Sequence, residues 1–204
     1  MSQERKEQRM AKFEQIDPKT ASGETKEVFD EVKAQFGAVI NLFKVTGNAP
    51  SVLKGILALN KGVVLSAELD SKLIEQVAML TSALNRCDYC VNVHMKVGEG
   101  AGLSRDEMLL AMEGKATDPK AQALLNYTNE VVRNRGLVSD VTLQNARGAG
   151  FSEKALIETI GVIGVYTTLQ YIRHVADPDH DFPAVSEFDA DKHGTDNRGL
   201  FEAA

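Results

Sequence analysis

Residues 70–94 read DSKLIEQVAMLTSALNRCDYCVNVH, and this stretch decides the fold. Leu73, Ile74, Val77, Ala78 and Leu80 recur at the three- and four-residue steps of one helical face. Asp70 stands just before them, a residue type whose carboxylate accepts an N–H of the first turn. The apolar run ends at Leu84, and Asn85 then has the character of an N-cap for a second helix carrying Cys87, Cys90 and His94. On a helix these three side chains fall within an arc of roughly 60°, so two thiols and an imidazole share one face. Glu75 lies on the first helix, 12 residues before Cys87 and inside an otherwise apolar run. It either faces solvent or is buried beside the thiols.

The same periodicity extends in both directions. Val28, Phe29, Val32 and Phe36 predict a helix over 21–36 stopped by Gly37, and Pro50 opens another that reaches about Asn60. Ser104 and Glu107 form a capping box for a short helix to about Met112. Asp118 and Pro119 start a helix bearing Ala123, Leu124, Tyr127, Val131 and Val132, with Gly136 past its end and Tyr127 in the core. Asp140 caps a short helix ending near Gly148. Ser152 opens a long apolar helix to about Ala176, ended by Pro178 and Pro183. No segment alternates with a period of two. The expected fold is all-α, about eight helices. It forms a single domain over residues 1–176 with an N-terminal arm (1–20), followed by an extended polar tail over 177–204. Leu73-Ile74-Glu75 recurs 83 residues later as Leu156-Ile157-Glu158, which reads as a possible internal helical repeat whose second copy has no cysteines.

Composition narrows the function. The chain has 204 residues, 43% hydrophobic and 25% charged, enough for a core without disulfide or metal staples. Its net charge is −6, and the only basic cluster, Arg5, Lys6, Arg9 and Lys12, alternates with Glu4 and Glu7. That argues against nucleic acid. The apolar run over 160–165 is far short of the ~20 residues that span a bilayer, and the N-terminus has no apolar leader. The expectation is a cytoplasmic protein with no membrane contact. Two cysteines in a reducing compartment point to chemistry or metal binding.

The cysteine array admits three readings. A C-x-x-C pair on a helical turn closes a disulfide with little backbone movement, and thiols near a helix start are favoured as thiolates. Alternatively, Cys87, Cys90 and His94 supply three zinc ligands and Glu75 a fourth. The third reading is plain core packing. Elsewhere, Asp177, Asp179, His180 and Asp181 could form a metal site but read as a solvated cap. Arg173 and Tyr171 could line a pocket, but read as surface and core respectively.

Glu75, an 11-residue gap, Cys87-x-x-Cys90 and His94, flanked by Ser82-Ala83-Leu84-Asn85-Arg86 and Ala101-Gly102-Leu103-Ser104, resemble the alkylhydroperoxidase AhpD / carboxymuconolactone decarboxylase-like family, in its two-cysteine branch. The resemblance covers residues 40 to 115 well and the rest by helical pattern. It implies a peroxidase in which Cys90 attacks the peroxide, Cys87 resolves the sulfenic acid, and Glu75 and His94 relay the proton through water. It also implies a hydroperoxide substrate, a dithiol reductant of lipoyl or thioredoxin-like type, no cofactor or metal, and a homotrimer or homohexamer. Well-studied members carry a histidine where this chain has Tyr89, which implies a shorter relay. Two alternatives stand beside this: a non-redox decarboxylase-like lyase, and a redox-sensing module without turnover.

Overall fold

The computed structural model describes residues 11–65 and 68–195. Its helices are α1 Gly23–Phe36, α2 Asn41–Thr46, α3 Pro50–Leu65, α4 Ser71–Leu84, α5 Asp88–Gly100, α6 Arg105–Met112, α7 Pro119–Arg133, α8 Asp140–Gly148, α9 Glu153–Ala176 and α10 Ala190–His193. No strand occurs among the described residues. The all-α expectation holds. The helices outnumber it because α2 and α10, six and four residues long, are too short to show a period.

Local chemistry sets the ends. Asp70, Ser104, Asp118 and Ser152 each accept the backbone N–H three residues on. Each such cap is worth about 1 kcal/mol. Gly37 closes α1 in the left-handed conformation, φ 78°. Two boundaries differ from expectation. The cap of α8 is Ser139, which receives the Thr142 N–H at 3.2 Å and gives its own N–H to Glu130, so Asp140 becomes the first helical residue. α3 continues past Asn60 and through Gly62 to Leu65, with Val63 buried.

α4 is the centre of the domain. Every residue from Leu73 to Leu84 is buried, and the helix packs against α5, α6, α7 and α9. One apolar cluster joins α3, α4, α7, α8 and α9 around Leu124, Tyr127, Phe151 and Val162. A second, around Phe29, Phe43 and Leu53, joins α1, α2, α3 and α9 and includes both cysteines. A third gathers Met79, Leu84, Met108 and Leu125. Truncating Leu84 to Ala in such a setting would cost about 2–5 kcal/mol.

α9 is 24 residues long and, by length and composition alone, apolar enough to cross a membrane, although its longest apolar run is short. Here it packs against α3, α4 and α7. The tail also departs from the extended reading. Residues 177–195 fold back over α5: Val185 joins the third cluster and donates its N–H to Asn92 at 2.9 Å, Arg105 grips Glu187 at 2.7 and 2.8 Å, and the Thr195 N–H reaches the Leu84 carbonyl at 2.8 Å. Arg86 pairs with Asp191. The first ten residues of the N-terminal arm and the tail beyond Thr195 lie outside the described residues.

Candidate active site

The cysteines sit where α4 turns into α5. α4 ends in a Schellman motif: the Arg86 N–H bonds the Ala83 carbonyl at 3.0 Å and the Cys87 N–H the Ser82 carbonyl at 2.9 Å. Arg86 takes the left-handed conformation, φ 60°, at a cost of about 1–2 kcal/mol for a residue with a Cβ. Asn85 is therefore the C-cap of α4 and not the N-cap of α5. Its amide donates to Gln170 at 2.6 Å and Thr167 at 3.1 Å, and its carbonyl accepts from His174 Nε2 at 2.8 Å. Gln170, fully buried, donates in turn to Ser82 at 3.1 Å. This polar network fastens the corner to α9.

The N-cap of α5 is Cys87 itself, whose Sγ accepts the Cys90 N–H at 3.3 Å. Cys87 is outside the helix, so the shared helical arc applies to Cys90 and His94 only; the cap, not the helical pitch, brings the thiols together. Both cysteines are free and buried, with Sγ atoms 2.7 Å apart. Burial pushes the Cys90 thiol well above its ordinary pKa. The hydrogen bond and charge of Cys87 add to this, Arg173 pulls the other way, and Asp88 adds a smaller upward push. The expectation of a thiolate favoured by the helix start is thus reversed at Cys90, because its apolar surroundings outweigh the dipole.

Of the two placements open to Glu75, burial is the one found. Its Oε2 accepts from His94 Nδ1 at 2.8 Å, and both side chains are under one-tenth exposed. That bond fixes the imidazole tautomer and leaves Nε2 as the basic nitrogen. His94 lies one turn beyond Cys90, a spacing that puts Cβ atoms about 5–6 Å apart. Tyr166 of α9 meets the imidazole edge-on, ring centroids 4.5 Å apart. Its hydroxyl pKa is pushed up, first by burial and then by the neighbouring Glu75 and Cys90.

Tyr89 is not part of this pair. It is 1% exposed, accepts the Leu42 N–H at 3.1 Å and donates to Asp181, whose carboxylate also receives the Asn41 N–H at 3.0 Å. The residue standing in for the resemblance's histidine binds α2 and the tail. Its hydroxyl is also pushed up, by burial and then by Asp181.

Arg173 and Tyr171 exchange their expected places. Tyr171 is 59% exposed, whereas Arg173 is 8% exposed and gives Nη2 to Asp88 at 2.7 Å. A single arginine late in an apolar helix carried no sequence signal for this, since its partner is 85 residues away. The acidic tail cluster is dispersed: Asp179 accepts from Gln15 at 2.8 Å, Asp181 holds Tyr89, and His180 accepts from Asn92 at 3.2 Å. Among the described residues no group of three His, Cys, Asp or Glu is placed to hold a metal ion. Two cavities, of about 210 and 600 Å³, are lined by Leu80, Met112, Lys115 and Arg133 and by Asp17, Asn41 and Lys44 among others; neither touches the cysteines.

Residues 50–130 match the family model described as the carboxymuconolactone decarboxylase family. No curated protein matches the chain. Among solved structures it is similar to the alkylhydroperoxidase AhpD core of an uncharacterized peroxidase-related protein from Ralstonia eutropha JMP134, at 18% identity and TM-score 0.70, covering 88% of this chain and 95% of that one. A peroxidase-related protein from Silicibacter sp. TM1040 follows at 16% identity and TM-score 0.67, with 85% and 93% covered. The debrominase Bmp8 in its apo form matches at 17% identity and TM-score 0.66, with 77% and 86% covered. At these identities the likeness is one of fold. Residues 50–130, which hold Glu75, both cysteines and His94, are the part similar to the carboxymuconolactone decarboxylase family, and the chain around them has the AhpD-like fold.

Proposed function

We propose that this protein is a thiol-dependent peroxidase that reduces hydroperoxides through a Cys87/Cys90 dithiol–disulfide cycle. The observation that carries the reading is the convergence, within one buried corner, of two free thiols 2.7 Å apart and a carboxylate–imidazole pair one helical turn away. A core-packing role would need no such buried acid–base pair, and burying one without use is costly.

In the proposed cycle the His94–Glu75 pair takes the proton of Cys90, directly or through one water. The thiolate attacks the terminal peroxide oxygen; the S–O bond forms, the O–O bond breaks, and the alkoxide leaves with the relayed proton as an alcohol. Cys90 is now a sulfenic acid. Cys87 attacks that sulfur, the S–S bond forms and water departs. An external dithiol, of lipoyl or thioredoxin-like type, returns two electrons. The raised Cys90 pKa makes the base necessary, because a buried neutral thiol is a poor nucleophile at pH 7. Neither a decarboxylase-like lyase nor a sensor without turnover needs this complete set.

The site belongs to a homotrimer or homohexamer in this reading, working in the cytoplasm. Supporting assembly, α9 exposes Ile157, Ile160, Tyr171 and Val175, and the adjoining α3 exposes Val52 and Leu59. Light scattering tests it: Ile160→Asp should lower the mass of the assembly, and a wild-type monomer across micromolar concentrations refutes it.

The decisive assay is peroxide consumption with dithiothreitol and then with a dihydrolipoyl donor. Wild type should turn over repeatedly and Cys90→Ser should not. Single-turnover oxidation that no dithiol reverses would instead support the sensor.

A further inference from the structure

The cycle leaves a buried charge unused. Arg173 stands near the end of α9, whose Val165 and Leu169, on the same side, pack in the apolar cluster that contains Cys87 and Cys90. A guanidinium is never deprotonated in a protein, so its positive charge is fixed there. Its Nη2 meets Asp88 Oδ1 at 2.7 Å, with Asp177 Oδ1 at 3.9 Å and His180 Nε2 at 3.5 Å, while its buried Nε has no hydrogen-bond partner among the described residues. Asp88 lies between the two cysteines in sequence and opens α5. The pair is lopsided: the Arg173 side chain is 10% exposed and that of Asp88 49%. Water therefore screens the Asp88 carboxylate more than the guanidinium, and Asp177, 6% exposed, offsets part of the charge from the far end of α9.

We propose, resting on the peroxidase reading, that Arg173 is a positioning residue for the nucleophile: its charge stabilises the Cys90 thiolate, while Asp88 holds it in place and opposes it. Segment 177–181 completes the clasp through Asp177 beside Arg173 and through His180, whose Nε2 lies 3.7 Å from Asp88 Oδ2, which makes the folded-back tail part of what sets the reactivity of the thiol. Other titratable groups that interact with Cys90 are Cys87, Tyr89 on α5 and Tyr166 on α9, and His94, paired with Glu75 of α4, lies one turn further along α5. Among the described residues that act on the Cys90 thiol, Arg173 favours its ionised form, whereas burial, Cys87 and Asp88 all act against it.

The test is the pH dependence of Cys90 alkylation by iodoacetamide, in a Cys87→Ser background so that one thiol reports. It reads the thiolate without peroxide, so it stands or falls separately from turnover. Arg173→Gln should move the alkylation midpoint up by about one pH unit. Below the midpoint that is a tenfold loss of thiolate, partly offset by its greater nucleophilicity, so alkylation should slow about threefold. Asp88→Asn should move the midpoint down, and Arg173→Lys should restore part of the shift. If the pair is only a clamp, Arg173→Gln and Asp88→Asn break the same bridge and move the midpoint alike, or not at all; either result overturns the proposal. Should Arg173→Gln fail to fold, Asp88→Asn and Arg173→Lys decide, and an unmoved or raised midpoint in Asp88→Asn refutes it. A peroxide-inactive wild type whose midpoints shift as stated removes the peroxidase reading and leaves the charge assignment standing.

Discussion

The chain writes the same three residues, Leu-Ile-Glu, early in two core helices and makes different things of them. On α4, Leu73, Ile74 and Glu75 are all buried, and Glu75 holds His94 at 2.8 Å. On α9, Leu156 is buried but Ile157 is 68% exposed, and Glu158 lies 3.4 Å from Lys154 one turn back on its own helix. The difference arises from what surrounds each helix. α4 is enclosed by α5, α6, α7 and α9, so a carboxylate on it must find an internal partner. α9 keeps one face outside, so Glu158, although its side chain is only 11% exposed, pairs with the half-exposed Lys154 and not with a buried imidazole. The repeat is a repeat of pattern, and the environment decides which copy carries chemistry.

The largest expected effect breaks the comparison at its chemical end. Cys90→Ser should abolish peroxide consumption while leaving the melting temperature within a few degrees, because a hydroxyl replaces a thiol of similar size. Cys87→Ser should allow one turnover and leave a dimedone-reactive sulfenic acid on Cys90. A dimedone label on Cys87 in the Cys90→Ser protein, with single-turnover activity intact, would reverse the roles.

Next comes the paired test of the two glutamates. Glu75→Gln should lower peroxide turnover at pH 7 by roughly 10²-fold, in the range of a lost general base. Glu158→Gln should change it less than about twofold, because Glu158 pairs with Lys154 on its own helix and not with His94. Equal small effects would mean that Glu75 only fills space and that the relay rests on His94 alone.

A smaller effect concerns pH and stability. Cys90, Tyr89 and Tyr166 all have pKa values raised in the folded chain, chiefly by burial. Groups shifted this way favour the fold fully below their unfolded pKa values, about 8.5 to 10, and lose that contribution as pH rises above them. The melting temperature should therefore fall from pH 8 to pH 11, and Tyr89→Phe should flatten the decline. A melting temperature that is flat over that range in the wild type would contradict the burial of these groups.

Much of this was legible in residues 70–94. Period and caps gave α4, and the spacing of Cys90 and His94 put them on one face of α5, because helical neighbours are set by short-range geometry; Cys87 joins them as the cap of α5 and not as a helical neighbour. What the pattern did not give was long-range. Asn85 has the chemistry of either kind of cap, and its partners on α9 decide that it ends α4. Arg173 and Asp88, Tyr89 and Asp181, and Asn92 and Val185 each meet across more than 80 residues. The polar tail reads as extended because its few apolar residues show no period, yet Val185 and Phe188 seat it on the third cluster and Asn92 and Arg105 hold it by hydrogen bonds.

The central claim is that Cys87 and Cys90 cycle as one dithiol within a single chain. Intact-mass analysis of the reduced protein after one equivalent of hydroperoxide tests it most directly, with free thiols counted before and after a dithiol is added. The account expects the two thiols to fall to none, the mass to drop by about two hydrogens without covalent dimers, and both thiols to return with the dithiol. Two thiols remaining free after peroxide, or a disulfide linking separate chains, would contradict it.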